Sequence, residues 1–295
     1  MTTIAYTSPY IPPEWIAAHG LVPLRLQPEG PAPRGPIPQT AGICPYMRAF
    51  VNQAVGEPQV AGVILTTVCD QMRRGCERID TRSTPAFCFN VPATWQSAAS
   101  LQLYGDELER LGRFLVDLGG ARPSDETLSS MMLDFEAKRP VATTTAGDGN
   151  AIPIAITGGP RTKLDESLLD LIVESGGKLV LDATETGALS TPPPFDSGQV
   201  RSNPRQALAM AYHGKLPGIS RRPNDAIHGW LAAQVAASGA AGVVLLRYLW
   251  CDLWHAEVPR IRDALSVPLL DIDLDGEDPT PRNRTRIQAF LEGLS

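Results

Sequence analysis

Residues 60–70 read VAGVILTTVCD, and residues 240–252 read AAGVVLLRYLWCD. Each stretch opens with a short apolar run rich in β-branched residues, which is typical of a parallel strand buried on both faces. Each also carries a cysteine where that strand should end. Ligands of open α/β sheets gather beyond the carboxyl ends of the strands. The repeat therefore predicts a duplicated chain in which Cys69 and Cys251 share one site between two similar lobes.

The flanking segments repeat in the same order. A strand, a helix and a second strand are predicted at residues 4–7, 12–19 and 21–26 in the first half, and at 152–157, 164–175 and 178–182 in the second. A further strand follows each Cys-Asp pair, at residues 85–91 and 267–272. Strands that alternate with helices imply parallel βαβ units. We therefore predict an α/β protein with two Rossmann-like (flavodoxin-like) parallel-sheet lobes.

Helices are also predicted between the two lobes. Leu108, Leu111 and Leu115 mark the apolar face of one amphipathic helix, and Ser124 is the expected N-cap of the next. Residues 140–150, with three threonines and two glycines, are predicted to form a linker. The expected domains are an N-terminal α/β lobe with a helical extension, residues 1–145, and a C-terminal α/β lobe, residues 150–295.

Composition excludes several classes of protein. The chain has 295 residues, is 43% apolar and carries a net charge of −6 without a basic stripe, which argues against nucleic-acid binding. No apolar run is long enough to cross a membrane, and the first residues lack the basic and apolar regions of a leader peptide. We expect a cytoplasmic protein with no nucleic-acid or membrane partner.

Five cysteines are present, at positions 44, 69, 76, 88 and 251. An odd number in a chain of this size does not indicate a disulfide framework. Cys44 precedes Pro45, a favourable first helical residue, and a helix N-terminus favours the thiolate form. Three thiolates in a cleft between lobes could hold three corners of a 4Fe–4S cluster and leave the fourth iron open.

The same residues have a simpler interpretation, in which all the cysteines are small buried hydrophobic side chains. Cys88 lies inside a predicted strand and is expected in the core. Cys76, seven residues beyond Cys69, could approach the site or only pack against it.

Several segments carry a resemblance to a known family. They are YIPPEWIAAHGLVP at residues 10–23, Cys44 with Pro45 and Arg48, TVCD at 67–70, NVP at 90–92, WCD at 250–252, Asp275, and TRIQAFLE at 285–292. With these segments the chain resembles the D-component family of 2-hydroxyacyl-CoA dehydratases. That family also includes benzoyl-CoA reductase cluster subunits and double-cubane cluster reductases.

The resemblance implies one 4Fe–4S cluster per chain, held by Cys44, Cys69 and Cys251. It implies the iron–sulfur subunit of a dehydratase, a lyase that uses low-potential one-electron radical chemistry on an acyl-CoA thioester. The alternatives are an ATP-dependent reductase (oxidoreductase) component and a non-catalytic subunit that only holds the cluster. A cluster-free α/β binding protein is a third hypothesis.

Partners are implied by the same resemblance. They are a similar subunit, in a homodimer or heterodimer, and an ATP-hydrolysing iron–sulfur activator, with an acyl-CoA as substrate. This chain has no phosphate-binding loop motif, so we expect it to bind no nucleotide itself.

Three polar residues are candidate catalytic groups. His255 follows Cys251 by one helical turn and is expected to face the same way. Ser8 follows the first strand, and Glu185 follows the second strand of the second lobe. A packing or capping histidine and a turn-forming serine are the simpler alternatives.

Overall fold

The computed structural model describes residues 2–31, 34–139 and 150–295, which form two four-stranded parallel sheets. The strands of the first sheet are β1 (Thr3–Tyr6), β2 (Val22–Arg25), β3 (Val60–Thr66) and β4 (Ala86–Phe89). The strands of the second are β5 (Ile152–Gly158), β6 (Gly177–Thr184), β7 (Gly242–Tyr248) and β8 (Leu269–Leu274). The orders β2-β1-β3-β4 and β6-β5-β7-β8 are equivalent. The predicted two-lobe α/β fold is confirmed.

Helices connect the strands in both halves. Those of the first half are α1 (Pro13–Ala18), α2 (Pro45–Gly56), α3 (Asp70–Glu77), α4 (Ala98–Asp117) and α5 (Asp125–Ala137). Those of the second half are α6 (Ser167–Glu174), α7 (Ser197–Ser202), α8 (Pro204–Ala209), α9 (Asp225–Ser238), α10 (Asp252–Ala264) and α11 (Thr280–Glu292). A π-helix, Met210–Lys215, continues α8.

Gly62 and Gly242 occupy equivalent positions, which explains why the two repeated strands share the sequence Ala-Gly-Val. A Cβ on Gly62 would touch the side chains of Phe114 and Leu118, and a Cβ on Gly242 would touch those of Phe290 and Leu294. In each lobe a phenylalanine and a leucine four residues apart therefore pack directly onto the strand backbone. The repeat extends from the strands to the helices that cover them.

The order of strands creates a switch point in each sheet. The chain moves from β1 outward to β2 and then returns to β3 on the other side of β1, and β5, β6 and β7 repeat this path. Crevices for ligands form at such points, beyond the carboxyl ends of the strands. Cys69 and Cys251 follow the strands β3 and β7 at these two points.

The lobes are held together by shared packing. Residues 200–216, from the second half, pack in the apolar cluster of α1, α4 and β4 of the first half. The Arg205 guanidinium also forms ion pairs with Glu109 and Asp125. Elsewhere the rings of Tyr46 and Tyr248, one from each lobe, lie 5.8 Å apart between centroids. The cleft between the lobes therefore has two packed sides.

The predicted elements agree closely with the observed ones, with ends that differ by a few residues. Ser124 caps α5 as expected, since its Oγ accepts a hydrogen bond from the Thr127 amide at 3.1 Å. The predicted linker at 140–150 lies, apart from Asn150, outside the described residues. Within the described ranges, no helix is both long and apolar enough to span a bilayer.

The end of β5 provides a test of the packing. Gly158 has a left-handed φ of 128°, and a Cβ there would overlap the backbone carbonyl of Leu246 on the neighbouring strand. Gly239 also has a positive φ, 66°, but a Cβ there would meet no atom within 4 Å. We expect G239A to lower the free energy of unfolding by about 1–2 kcal/mol. G158A should lower the free energy of unfolding by about 1–3 kcal/mol more than G239A does, because the backbone of the neighbouring strand cannot move aside as a side chain can. Urea denaturation measures both, and equal losses would contradict the described contact.

Candidate functional site

A cavity of about 280 Å³ lies between the lobes at the two switch points. Its walls come from the loops after β1, β3, β5, β6 and β7, from residues 217–220 and from the first turns of α2, α3 and α10. Cys44, Cys69 and Cys251 all line it. The structure thus brings together the three cysteines that the sequence proposed as ligands.

Each of the three cysteines immediately precedes a helix. Cys44 stands before α2, Cys69 before α3 and Cys251 before α10. Residues at this position face the free backbone N–H groups of the first helical turn, which carry partial positive charge. The fold therefore directs three helix N-termini, with a sulfur at each, towards the same cavity.

Burial and the helix amides act on these thiols in opposite directions. Burial raises the pKa of Cys44 to about 12, while the backbone amides of Met47 and Tyr46 lower it. Burial likewise raises the pKa of Cys69 and of Cys251, again against the pull of backbone amides. Negative charge on Cys69 would raise the pKa of Cys44, and charge on either would raise that of Cys251. The three thiols are thus electrostatic neighbours, and a negative charge on one disfavours the ionisation of another.

Polar contacts fix the positions of the cysteine loops. The side-chain oxygen of Gln71, in the first turn of α3, accepts a hydrogen bond from the Cys44 amide at 2.8 Å. Just before Cys251, Trp250 has a positive φ of 70° and a side chain that is 61% exposed. This turn brings Cys251 into the cavity wall and leaves the indole at its rim.

Glu185 is one of three carboxylates that line the cavity, and unlike Asp70 and Asp252 it is not exposed. It follows β6, and its Oε1 accepts a hydrogen bond from Trp254 Nε1 at 3.1 Å. Burial raises the pKa of this carboxyl, although the Trp254 hydrogen bond and the charge of Arg25 oppose the rise. Negative charge on Glu185 in turn raises the pKa of the Cys69 and Cys251 thiols. The predicted placement of Glu185 beside the cysteines agrees with the structure.

Three cysteine sulfurs are donors of the kind that iron–sulfur clusters use. Among the described residues, no three His, Cys, Asp or Glu side chains lie close enough to hold one metal ion. A 4Fe–4S cluster takes each cysteine on a different iron, which separates the sulfurs further than a mononuclear site does. Three thiols around a cavity at the ends of three helices suit that larger group.

The other two candidates lie elsewhere. His255 is exposed and does not line the cavity, so the expected orientation is wrong. Cys251, with φ −92° and ψ 77°, is not itself helical, and helical spacing counted from it does not apply. Ser8 is buried, but it lines a second cavity rather than the one with the cysteines.

Cys76 and Cys88 also lie outside the cysteine cavity. Both are partly exposed. The expectation that Cys88 belongs to the core is therefore wrong. It lies on β4, an edge strand, whose residues alternate between full and partial burial.

The second cavity, of about 680 Å³, lies beside the first and is more polar. Its most buried acid is Glu14, which is 4% exposed and accepts a hydrogen bond from Tyr212 Oη at 2.8 Å. Burial raises the pKa of Glu14 to about 7. Neither Glu14 nor Trp254 was predicted as a site residue. The available signal for Trp254 was its place in the first turn of the helix that follows Cys251.

Comparison with known proteins points to one family. The model of the 2-hydroxyglutaryl-CoA dehydratase D-component matches residues 9–146 and again residues 135–294. A search of the curated proteins gave no match.

Two solved structures also align with the whole chain. The SBP FpvC from Pseudomonas aeruginosa in complex with Mn2+ is 12% identical, with a TM-score of 0.26 over 100% of this chain and 98% of that one. A mutant laminin-binding adhesin (Lmb) from Streptococcus agalactiae is 10% identical, with a TM-score of 0.24 over 100% of both chains. At these scores neither structure bears on fold or function.

The raised pKa of Glu14 predicts a pH-dependent stability. The folded state keeps its proton up to about pH 7, whereas the ordinary pKa is 4.5. The contribution of the buried Glu14 proton to the free energy of unfolding is therefore complete below pH 4.5 and is lost as the pH rises through 7. Between those values we expect the wild type to lose about 3 kcal/mol relative to E14Q, which has no such proton. Denaturation curves from pH 4 to 8 measure this, with the exposed E126Q as control. A constant difference between wild type and E14Q would contradict the buried proton.

Proposed function

This chain belongs to the 2-hydroxyglutaryl-CoA dehydratase D-component family, and on that premise we propose that it is the iron–sulfur component of a 2-hydroxyacyl-CoA dehydratase-type enzyme. The observation that carries the proposal is the convergence of Cys44, Cys69 and Cys251 on one cavity between the lobes. A purely electron-transferring cluster commonly has four cysteine ligands. Three cysteines leave one iron open, which suits a substrate that binds at the metal.

The cysteines would hold the cluster, and the protein would set its surroundings. When bound, such a cluster supplies a single electron at low potential. The backbone amides at the starts of α2, α3 and α10 stabilise the negative charge of the thiolates. Binding of the cluster replaces the thiol protons, so assembly should release protons and become weaker at low pH.

Apolar walls would keep water away from the reacting groups. Met47, Val68, Leu189 and Ile219 line the cavity together with the cysteines. A dry cavity strengthens electrostatic interactions and protects reactive intermediates from side reactions. The composition of the walls therefore supports low-potential chemistry inside this cleft.

Glu185 is our candidate for moving a proton. Burial favours its protonated form, and Trp254 holds the carboxyl in one orientation inside the cavity. Loss of water from a 2-hydroxyacyl thioester requires a proton to leave the substrate and another to reach the departing hydroxyl. A carboxylic acid of raised pKa is suited to that exchange.

The proposed partners are a similar subunit and an ATP-hydrolysing iron–sulfur activator. Leu249 and Trp250, 39% and 61% exposed, place apolar surface directly beside Cys251. A donor of electrons must approach the cluster from outside, and this rim supports such an approach. A subunit that only holds a cluster would need the cysteines but not Glu185, so substitution of Glu185 separates the two functions.

Iron binding tests the ligand set. After anaerobic reconstitution we expect a brown protein with about four irons per chain. C44S, C69S and C251S should each lose most of the iron, because each removes one of three sulfurs. C76S and C88S are the matched controls and should keep it. Full iron in all three cavity variants would overturn the proposal.

Activity tests the role of Glu185. With the activator and any partner subunit present, we expect E185Q to retain its iron but to lose about 10²–10⁴-fold in turnover of a 2-hydroxyacyl-CoA. The same assay on H255Q should show wild-type rates, because His255 is exposed outside the cavity. Wild-type turnover by E185Q would exclude Glu185 as the proton carrier.

A further inference from the structure

One wall of the cysteine cavity is apolar and belongs to the second lobe. Leu189, Ile219 and Trp254 line it, and each is at most 5% exposed. They come from three separate places in the chain: Leu189 follows β6, Ile219 follows the π-helix, and Trp254 lies in the first turn of α10. The three side chains pack in one apolar cluster, which gives this wall a fixed shape. A group that binds against it would mainly contact carbon atoms.

The charged side chains around the cavity are mostly negative. Glu185, Asp70 and Asp252 line it, and Arg73 is the only lysine, arginine or histidine among the described residues that do so. The Arg73 guanidinium is ion-paired with Asp70, and its side chain is 55% exposed. The positions outside the described ranges contain no lysine, arginine or histidine. A bound anion would therefore find no buried cationic side chain of this chain inside the cavity.

Such surroundings discriminate between acyl groups. A carboxylate that leaves water binds poorly unless it meets a cation or several hydrogen-bond donors. Three helix N-termini face the cavity, but a cysteine stands at each of them. The carboxyl of Glu185, when ionised, would repel a second carboxylate. An apolar side chain instead gains free energy from contact with the wall.

We propose that the acyl group of the substrate carries an uncharged, apolar side chain, which packs against Leu189, Ile219 and Trp254. The inference rests on the proposed function, because a 2-hydroxyacyl thioester must enter the cysteine cavity. It adds the class of acyl group that the cavity accepts, and it excludes acyl groups that end in a carboxylate.

The second cavity contains arginines, but they do not serve the first one. Arg25, Arg139 and Arg161 line the second cavity, and none of them lines the cysteine cavity. Arg139 and Arg161 each form an ion pair with a neighbouring carboxylate. Arg25 donates a hydrogen bond to the backbone carbonyl of Glu185 and is the cation that a further carboxylate could still meet. To reach it, an acyl chain would have to leave the apolar wall.

Binding of two matched thioesters tests the proposal. In 2-hydroxy-5-methylhexanoyl-CoA an isopropyl group takes the place of the carboxylate of 2-hydroxyglutaryl-CoA. Calorimetry on the iron-loaded, unreduced protein, with any partner subunit present, should give a dissociation constant at least about 100-fold lower for the isopropyl compound. Equal affinities would overturn the proposal. Tighter binding of the glutaryl compound that is lost in R25Q would also overturn it, and would place the carboxylate in the second cavity.

A cation added to the cavity provides a second measurement. Leu253 lines the cavity and is only partly buried, so L253R changes the lining without removing a core side chain. We expect L253R to reduce the ratio of the two dissociation constants about 10-fold, because the carboxylate gains a charged donor. V173R adds the same charge at an exposed position of α6 and is the matched control, which should leave the ratio unchanged. The same ratio in L253R as in the wild type would contradict the proposal.

These results separate the inference from the proposed function. Iron content and turnover test the proposed function, whereas the ratio of the two dissociation constants tests the choice of acyl group. An iron-loaded protein that binds both thioesters equally would overturn only the inference. A protein that binds neither thioester would overturn the proposed function and the inference together.

Discussion

The site depends on the desolvation of three thiols at the starts of three helices. Out of water, Cys44, Cys69 and Cys251 favour the protonated form, and helix amides only partly offset this. Ionised together, they would repel one another inside a cavity of about 280 Å³. A positively charged inorganic core would remove that conflict, because it would replace three protons and bind three thiolates.

Convergence of the three thiols requires that both lobes stay in place. Cys44 and Cys69 come from one lobe and Cys251 from the other, so the ligand set is complete only when the lobes pack together. The shared apolar cluster and the Tyr46–Tyr248 contact provide this packing. The duplicated fold thus determines where the site lies, since each lobe contributes the carboxyl end of its central strand.

The sequence predicted the parts of the protein that follow from periodicity and chain geometry. Buried β-branched strands, the Pro45 helix start and the duplicated switch points indicate the three cysteines. Side-chain direction at loop residues was not predictable in that way. Helical spacing from Cys251 does not place His255, because Cys251 is not helical, and the loop after β1 contributes to both cavities, with Ser8 in the second.

Anaerobic electron paramagnetic resonance tests the central claim most directly. After low-potential reduction, the account predicts an iron–sulfur signal that changes when a 2-hydroxyacyl-CoA is added, because three cysteines would leave one iron of the cluster without a protein sulfur. The account would be contradicted by a reduced protein with no such signal, or by a signal that no acyl-CoA ester alters.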